Sequence, residues 1–375
     1  MTWFLSWHLF TISIENRKGY KITWLTAQAV LVLKMIMVFM DLKESSSEKA
    51  PNFLEFTAYS TFYPTCLAGP QMTFSHYRKF LDLTNIFSNK NDSNYEILYH
   101  FHALSRKKSI QKLSTAILLM TFFAKHGSMH DDRIWNHENS VFFTEFSFLR
   151  KFMFITVYGN GKFYKYMTFW CLAESCLLLS GTSCSKDLTF TSCQNAEIYN
   201  MTKSILMSDY VKYFNINTNL WSRTYVFKPL KFLNNKLLSK FLTLLFLAAW
   251  HGMLPGYFTC FFYEFLVLIV EREMIEADLL QETLFLEGNQ SSSQKFHHFL
   301  KGIFQKFWHF ALISGYSHID FGLLLFKNYY RVWKNCYFYG HVYLVVFYLI
   351  ARYRNSKRKR IAESADVPRK VQKID

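Results

Sequence analysis

The sequence predicts an all-α, polytopic integral membrane protein built as a single helical domain, and three observations carry that prediction. Of 375 residues, 51% are hydrophobic and 19% aromatic, with 40 Phe and 23 Tyr, a balance unlike that of ordinary soluble domains. Mean hydropathy is nevertheless only +0.02, because apolar runs alternate with charged loops. The net charge of +16 falls largely on Lys and Arg that flank those runs, as the positive-inside bias requires. A basic chain can also bind nucleic acid, but no zinc knuckle, recognition helix or aromatic RNA-binding motif accompanies the charge, so nucleic acid is not an expected partner.

The opening MTWFLSWHLFTISI has neither a basic leader nor a small-residue cleavage site, so no cleavable signal peptide is expected. Residues 22–40 are long enough to span a bilayer, with Gln28 and Lys34 as the strongly polar side chains, and the polar loop DLKESSSEKAP ends the run. Residues 52–69, aromatic and carrying Glu55 and Pro64, read as a kinked span or a re-entrant segment. Residues 76–94 read as polar and solvent-facing. The shorter apolar run 110–124 lies behind a basic flank, Arg106, Lys107 and Lys108, which reads as a cytosolic anchor.

Residues 141–158 contain Glu145, Arg150 and Lys151, each costing about 2.5–3.5 kcal/mol at the bilayer centre, so two short helices or a surface helix are expected there. Residues 163–181 make a better span and enclose Glu174, for which a hydrogen bond to a neighbouring helix is preferred over substrate positioning. After residue 270 comes a polar stretch with the loop GNQSSS, then apolar runs at 303–326 and 337–351. The basic tail RYRNSKRKR reads as cytosolic, and the remaining residues to Asp375 as disordered. The organisation is therefore a transmembrane domain over residues 1–351 and a tail over 352–375, with seven to nine membrane segments by length.

The candidate chemistry lies between residues 214 and 257. Residues 241–270 carry only His251 and Glu264 from the acid–base types Asp, Glu, Lys, Arg and His, which places an imidazole deep in an apolar run. Asn215 lies 36 residues upstream, about 54 Å on one straight helix, so the chain must reverse between them. The reversal reads at KPLKFLNNK, where Pro229 and Asn234–Asn235 break the helical pattern. Gly252, Pro255 and Gly256 interrupt the next segment just past His251, and a broken helix at membrane depth belongs against protein or a cavity. His251 is therefore expected to face a cavity.

A buried histidine and a distant amide, without a nucleophilic Ser or Cys motif, suggest general-base chemistry, the amide orienting the base or stabilising an oxyanion. Spacing alone leaves a hydrogen-bonded structural histidine as the commoner case. Among 13 histidines none forms an HExxH pair, and His297 and His298 are adjacent, so no metal site is expected. Seven scattered cysteines give no disulfide framework, and Cys184 and Cys193 read as unrelated thiols. GNGKF at residues 159–163 is not a phosphate-binding loop. A channel or carrier remains open on these grounds.

The motif WHGMLPGY, residues 250–257, resembles the histidine motif of the membrane-bound O-acyltransferase family, and FNINTNLW, residues 214–221, resembles its upstream asparagine motif. YSTFYPTCLAGPQ (59–71), YKYMTFWCLAES (164–175), WSRTYVFKPLKFL (221–233) and EFLVLIVER (264–272) agree in order, and the similarity to the lysophospholipid acyltransferase branch runs over residues 21–351. The resemblance implies a ring of tilted helices around a tunnel, with His251 catalytic and Asn215 its partner; Asn217 and Asn219 are the alternative amides. Trp250, Gly252, Tyr257, Trp221 and Arg223 are carried over as substrate-binding candidates, and Gly256 completes the motif. Arg223, Lys228 and Lys231 are candidates for the CoA phosphates, although a positive-inside loop explains them equally well.

The implied reaction moves an acyl group from acyl-CoA, a co-substrate rather than a cofactor, to the hydroxyl of a lysophospholipid, lysophosphatidylcholine first among head groups. The implied setting is a multi-pass endoplasmic reticulum protein, with a homodimer as one assembly to test. Two departures from the family stand out. WKNCYFYGH (333–341) has Trp333 where family members usually have tyrosine, which weakens a role for Tyr337, Phe338 and His341. Family members usually carry further spans ahead of the segment at residue 22, and this chain is expected to lack them.

Overall fold

The computed structural model describes residues 25–44, 49–67, 72–84, 95–125, 139–185, 189–280 and 315–371, with isolated positions at 69, 134–135, between 296 and 305, and at 312. The readings of the first 21 residues, of His297 and His298 and of the GNQSSS loop lie outside the described residues. The described residues are mostly helical; their one β-like pairing is an isolated antiparallel bridge between Ala196 and Phe214.

Helix α1, Leu25–Glu44, covers most of the first expected span, and its Lys34 is wholly buried. The ammonium is held inside protein: Nζ donates to the Tyr59 carbonyl at 3.1 Å and to Thr65 Oγ1 at 2.7 Å, and lies 5.0 Å from the Tyr59 ring. The kinked segment becomes two short helices, α2 (Phe53–Ser60) and α3 (Tyr63–Cys66), with Pro64 in the first turn of the second. Eight and four residues are about 12 and 6 Å of helix, too short to cross a bilayer. Helix α4, Phe74–Leu81, corrects the solvent-facing reading of its stretch, because Tyr77 is buried against Tyr59 at 5.6 Å.

Helix α5, Tyr95–Lys125, extends far beyond its apolar run and packs along α7, Phe148–Leu179, which follows the short α6, Val141–Thr144. The two short helices or surface helix expected over 141–158 and the separate span expected over 163–181 are thus largely one 32-residue helix. Charge at Arg150 and Lys151 bears on where a helix can sit in a membrane, not on whether it forms, and both residues have good helix propensity. GNGKF lies inside α7.

Helices α8 (Ile198–Lys203), α9 (Met207–Tyr213) and α10 (Ile216–Ser222) are short, and a π-turn at Arg223–Phe227 and a 3-10 turn at Pro229–Leu233 complete the predicted reversal. Asn234 takes a left-handed φ of 50°, and the side chain of Asn235 accepts from the Leu238 N–H at 3.0 Å, capping α11, Lys236–His251. Helix α12, Pro255–Glu276, returns antiparallel to α11, and α13 (Ile319–Leu323), α14 (Phe326–Asn335) and α15 (Tyr339–Val371) close the described chain. The backbone of α15 runs through the basic tail, where disorder is expected from sequence; its Lys, Arg, Ala and Glu are good helix formers.

No described helix is long and apolar enough to cross a membrane. Among the described residues, the spans counted by length are therefore not matched by single apolar helices, because charges such as Lys34, Glu174 and Glu264 interrupt the longest runs; most of the first half of the expected run at 303–326 lies outside the described residues. The two largest of four buried clusters among the described residues organise the interior. One gathers α7, α9, α12 and α15 around Tyr158, Tyr210, Tyr263 and Tyr316; the other sets Trp221 and Trp250 against α1 and α4.

Candidate active site

A cavity of about 400 Å³ is enclosed by α7, α9, α10, α11, α12 and α13. Its walls are mainly apolar and aromatic, including Phe163, Trp170, Tyr210, Leu247, Phe261 and Phe321. Into this lining project Asn215, Arg223, Lys240, His251, Glu264 and His318. Arg223 and Lys240 are exposed, so they mark an open side, whereas His318 is buried. Lys240 and Glu264 interact electrostatically.

His251 is the last residue of α11. The chain stops there because Gly252 adopts φ 146°, ψ 171°, a conformation reached almost only by glycine, while its N–H still bonds the carbonyls of Ala248 (3.2 Å) and Ala249 (3.1 Å). Pro255 then opens α12 in the helical turn that needs no N–H. Gly256 donates to the Leu324 carbonyl at 2.9 Å, and a Cβ there would stand 2.3 Å from the Asp320 carbonyl oxygen, so only glycine lets α12 and α13 meet. That approach sets the Phe321 edge against the imidazole at 5.3 Å and 82°. Tyr257 and Phe261 stack on it at 5.6 and 5.5 Å, and the Trp250 ring lies 4.6 Å away. The imidazole is thus held by aromatic rings on the protein side and open to the cavity on the other.

Asn215 takes a left-handed backbone, φ 50° and ψ 48°, which asparagine tolerates better than most residues. Its carbonyl accepts from the Asn219 N–H at 3.0 Å and starts α10, but its side chain does not cap that helix. Instead Oδ1 accepts from Asn195 Nδ2 at 3.2 Å. Glu174 fixes the Asn195 loop: its Oε1 accepts from the N–H groups of Asn195 (2.8 Å) and Ala196 (2.9 Å), and its Oε2 pairs with Lys112 at 2.5 Å. Lys112 also donates to the Ala196 carbonyl at 3.1 Å. The carboxylate therefore has the structural role preferred from sequence, although its partners are a loop and a helix.

The structure brings Asn215, His251 and Arg223 to one cavity, together with the alternative amide Asn219, and leaves Trp221, Trp250, Gly252, Tyr257 and Asn217 off its lining. Trp221 Nε1 donates to the Leu33 carbonyl at 3.1 Å and Trp250 Nε1 to that of Ala29 at 3.3 Å, so both indoles brace α1 rather than line the cavity. Gly252 and Tyr257 shape the surroundings of His251. Asn217 donates to the Gln194 carbonyl at 2.7 Å, and Asn219, though at the cavity, donates to the carbonyls of Val211 and Phe214. Lys228 and Lys231 are exposed and away from it. His341 bonds Tyr316 Oη through Nδ1 at 2.8 Å, within a cluster that includes Trp333 and Phe338 and lies apart from the cavity.

Sequence reasoning did not select Lys240, Glu264 or His318 for the site. Glu264 did carry a signal, as an acid inside an apolar run, and His318 carried a weaker one in the run before it. Cys184 and Cys193 are buried and are not joined by a disulfide. An imidazole and a carboxamide in one apolar pocket can respectively move a proton and hydrogen-bond a developing charge.

The membrane-bound O-acyltransferase family profile matches residues 42–287, a stretch that contains Glu174, Asn195, Asn215 and His251. The chain belongs to the membrane-bound O-acyltransferase family. This family member is accordingly a membrane protein. It is 32% identical over 361 residues to lysophospholipid acyltransferase 5 of Bos taurus, an alignment covering 89% of this chain and 69% of that relative. It is 29% identical over 364 residues to the Homo sapiens protein of the same name, with the same coverage. A more distant match, 24% identical over 351 residues, is lysophospholipid acyltransferase of Saccharomyces cerevisiae, covering 87% of this chain and 54% of the yeast protein.

Proposed function

We propose that this protein is a lysophospholipid acyltransferase that moves a long-chain acyl group from acyl-CoA to the free hydroxyl of a lysophospholipid, with lysophosphatidylcholine as acceptor. The observation that carries the proposal is that Asn215 and His251, 36 residues apart in sequence, line one apolar cavity. The names of the relatives supply the substrate class.

In the reaction, His251 takes the proton of the lysolipid hydroxyl as its oxygen attacks the thioester carbonyl, giving a tetrahedral oxyanion. Collapse of that intermediate breaks the carbon–sulfur bond, and the imidazolium returns the proton to the departing sulfur, so CoA leaves as a thiol. Asn215 supplies a hydrogen bond within the low-dielectric cavity, where such bonds are strongest. Arg223 and Lys240, exposed at the open side, suit the phosphates of CoA, and the aromatic walls suit hydrocarbon. Exposed apolar side chains such as Leu54, Leu118, Leu149 and Leu349 suit a lipid-facing surface in the endoplasmic reticulum membrane.

CoA release from microsomes containing this chain, with a panel of lysophospholipids and arachidonoyl- or oleoyl-CoA, tests the reading. Release driven by lysophosphatidylcholine and abolished by His251→Ala at equal expression is expected. No release with any lysolipid, or undiminished release by His251→Ala, would refute it.

A further inference from the structure

The chemistry of an amide depends on which end faces the substrate, since oxygen accepts and NH2 donates while their shapes are nearly the same. Backbone groups fix the choice here. The Asn217 N–H can only donate, and it meets the Asn195 side chain at 3.0 Å, so the atom it meets is Oδ1. The other end of Asn195 is then the donor Nδ2, and it stands 3.2 Å from the amide of Asn215. The Asn215 atom at that contact must be its acceptor, Oδ1. Nδ2 of Asn215 is thereby turned away from Asn195 and left for the cavity that Asn215 lines.

Asn195 itself has little freedom. It is 1% exposed, its own N–H is held by Glu174, and its carbonyl accepts from the Ile216 N–H at 2.9 Å. The residues before and after Asn215 are tied to the same loop, Phe214 through its bridge to Ala196 and Ile216 through that carbonyl.

We infer that Asn195 is a positioning residue that fixes the Asn215 amide with its NH2 toward the cavity, making Asn215 a hydrogen-bond donor to an oxygen of the substrate. The inference rests on the acyltransferase reading and deepens it. Asn195 touches no substrate; it acts through Asn215.

Asn195→Asp tests this in the full chain. The carboxylate still accepts from the Asn217 N–H, so the loop keeps its anchor, but it cannot donate to Asn215. The Asn215 amide then turns over to donate Nδ2 to the carboxylate and presents Oδ1 to the cavity. The expected result is a fall in kcat of about 10²–10³-fold, the range seen on removing an oxyanion donor, with KM for acyl-CoA changed less than about threefold. Placed on Asn215→Ala, the same substitution should add no further loss, which a general structural defect would not reproduce. Retention of kcat within about threefold of wild type, or losses that multiply in the double variant, would overturn the inference. If Asn195→Asp does not accumulate, Asn195→Ala replaces it in the same cycle, with an expected loss of about tenfold. Wild type without CoA release overturns the function and this inference together. An active wild type and a silent His251→Ala beside a fully active Asn195→Asp overturn this inference alone.

Discussion

Replacing Glu174 by alanine should destabilise the protein far more than any exposed acid would, and the size follows from its three bonds. Two buried backbone N–H groups, of Asn195 and Ala196, lose their acceptor, at about 1–3 kcal/mol each. Lys112 loses its carboxylate, a smaller effect because the lysine is 25% exposed and keeps its bond to the Ala196 carbonyl. The two lost acceptors alone come to about 2–6 kcal/mol, a range that brackets the ~3–5 kcal/mol usual for removing one partner of a buried ion pair and is a large share of a total near 5–15 kcal/mol. Glu174→Gln keeps a carbonyl for the two N–H groups but sets an amide against Lys112, so about 1–3 kcal/mol is expected. Adding Lys112→Met to Glu174→Gln removes the unpaired ammonium and should recover part of that loss. The assay is the apparent melting midpoint of detergent-solubilised protein, with the exposed Glu145→Gln as control, expected to lie within about 0.5 kcal/mol of wild type. A Glu174→Ala midpoint indistinguishable from that of Glu145→Gln would refute the account of the loop.

Three further outcomes are expected. Asn215→Gly and Asn215→Ala should both lower kcat about 10²–10³-fold while leaving residual CoA release, but Asn215→Ala should melt lower by about 1 kcal/mol equivalent, because alanine is strained at φ 50° and glycine is not; equal midpoints would deny the left-handed constraint. Gly256→Ala should prevent accumulation of folded protein or lower its midpoint severely, since the new Cβ meets backbone at 2.3 Å; a normal midpoint on thermal unfolding would show that α12 and α13 do not pack so closely. Arg223→Ala combined with Lys240→Ala should raise KM for acyl-CoA about tenfold with kcat unchanged and should flatten its salt dependence, which initial rates at two ionic strengths would measure.

Sequence alone indicated His251, Asn215 and the reversal between them, because each is a local exception: a histidine in an apolar run, an amide in a family-like motif, a proline and paired asparagines in a basic turn. It indicated the break after His251 for the same reason, and Gly252 and Gly256 each answer a backbone demand that a sequence can display. It misread residues 141–181, because charges that oppose membrane insertion were taken to interrupt a helix, and helix propensity is indifferent to them. It took Trp221 and Trp250 as substrate-binding candidates, whereas their indole N–H groups are bonded to carbonyls of α1 at separations of 188 and 221 residues.

Asn195 shows why such partners escape. It stands in SCQNAEIYN, polar and loop-like, with nothing in its own neighbourhood to distinguish it from Asn200. Its significance is that Glu174 and Asn217, from either side in sequence, fix it where Asn215 turns into the cavity. A motif names the group that meets the substrate, whereas the direction in which that group presents its donor is set by residues the motif omits. For an amide, whose two ends have opposite chemistry, that direction decides whether the side chain can stabilise an oxyanion.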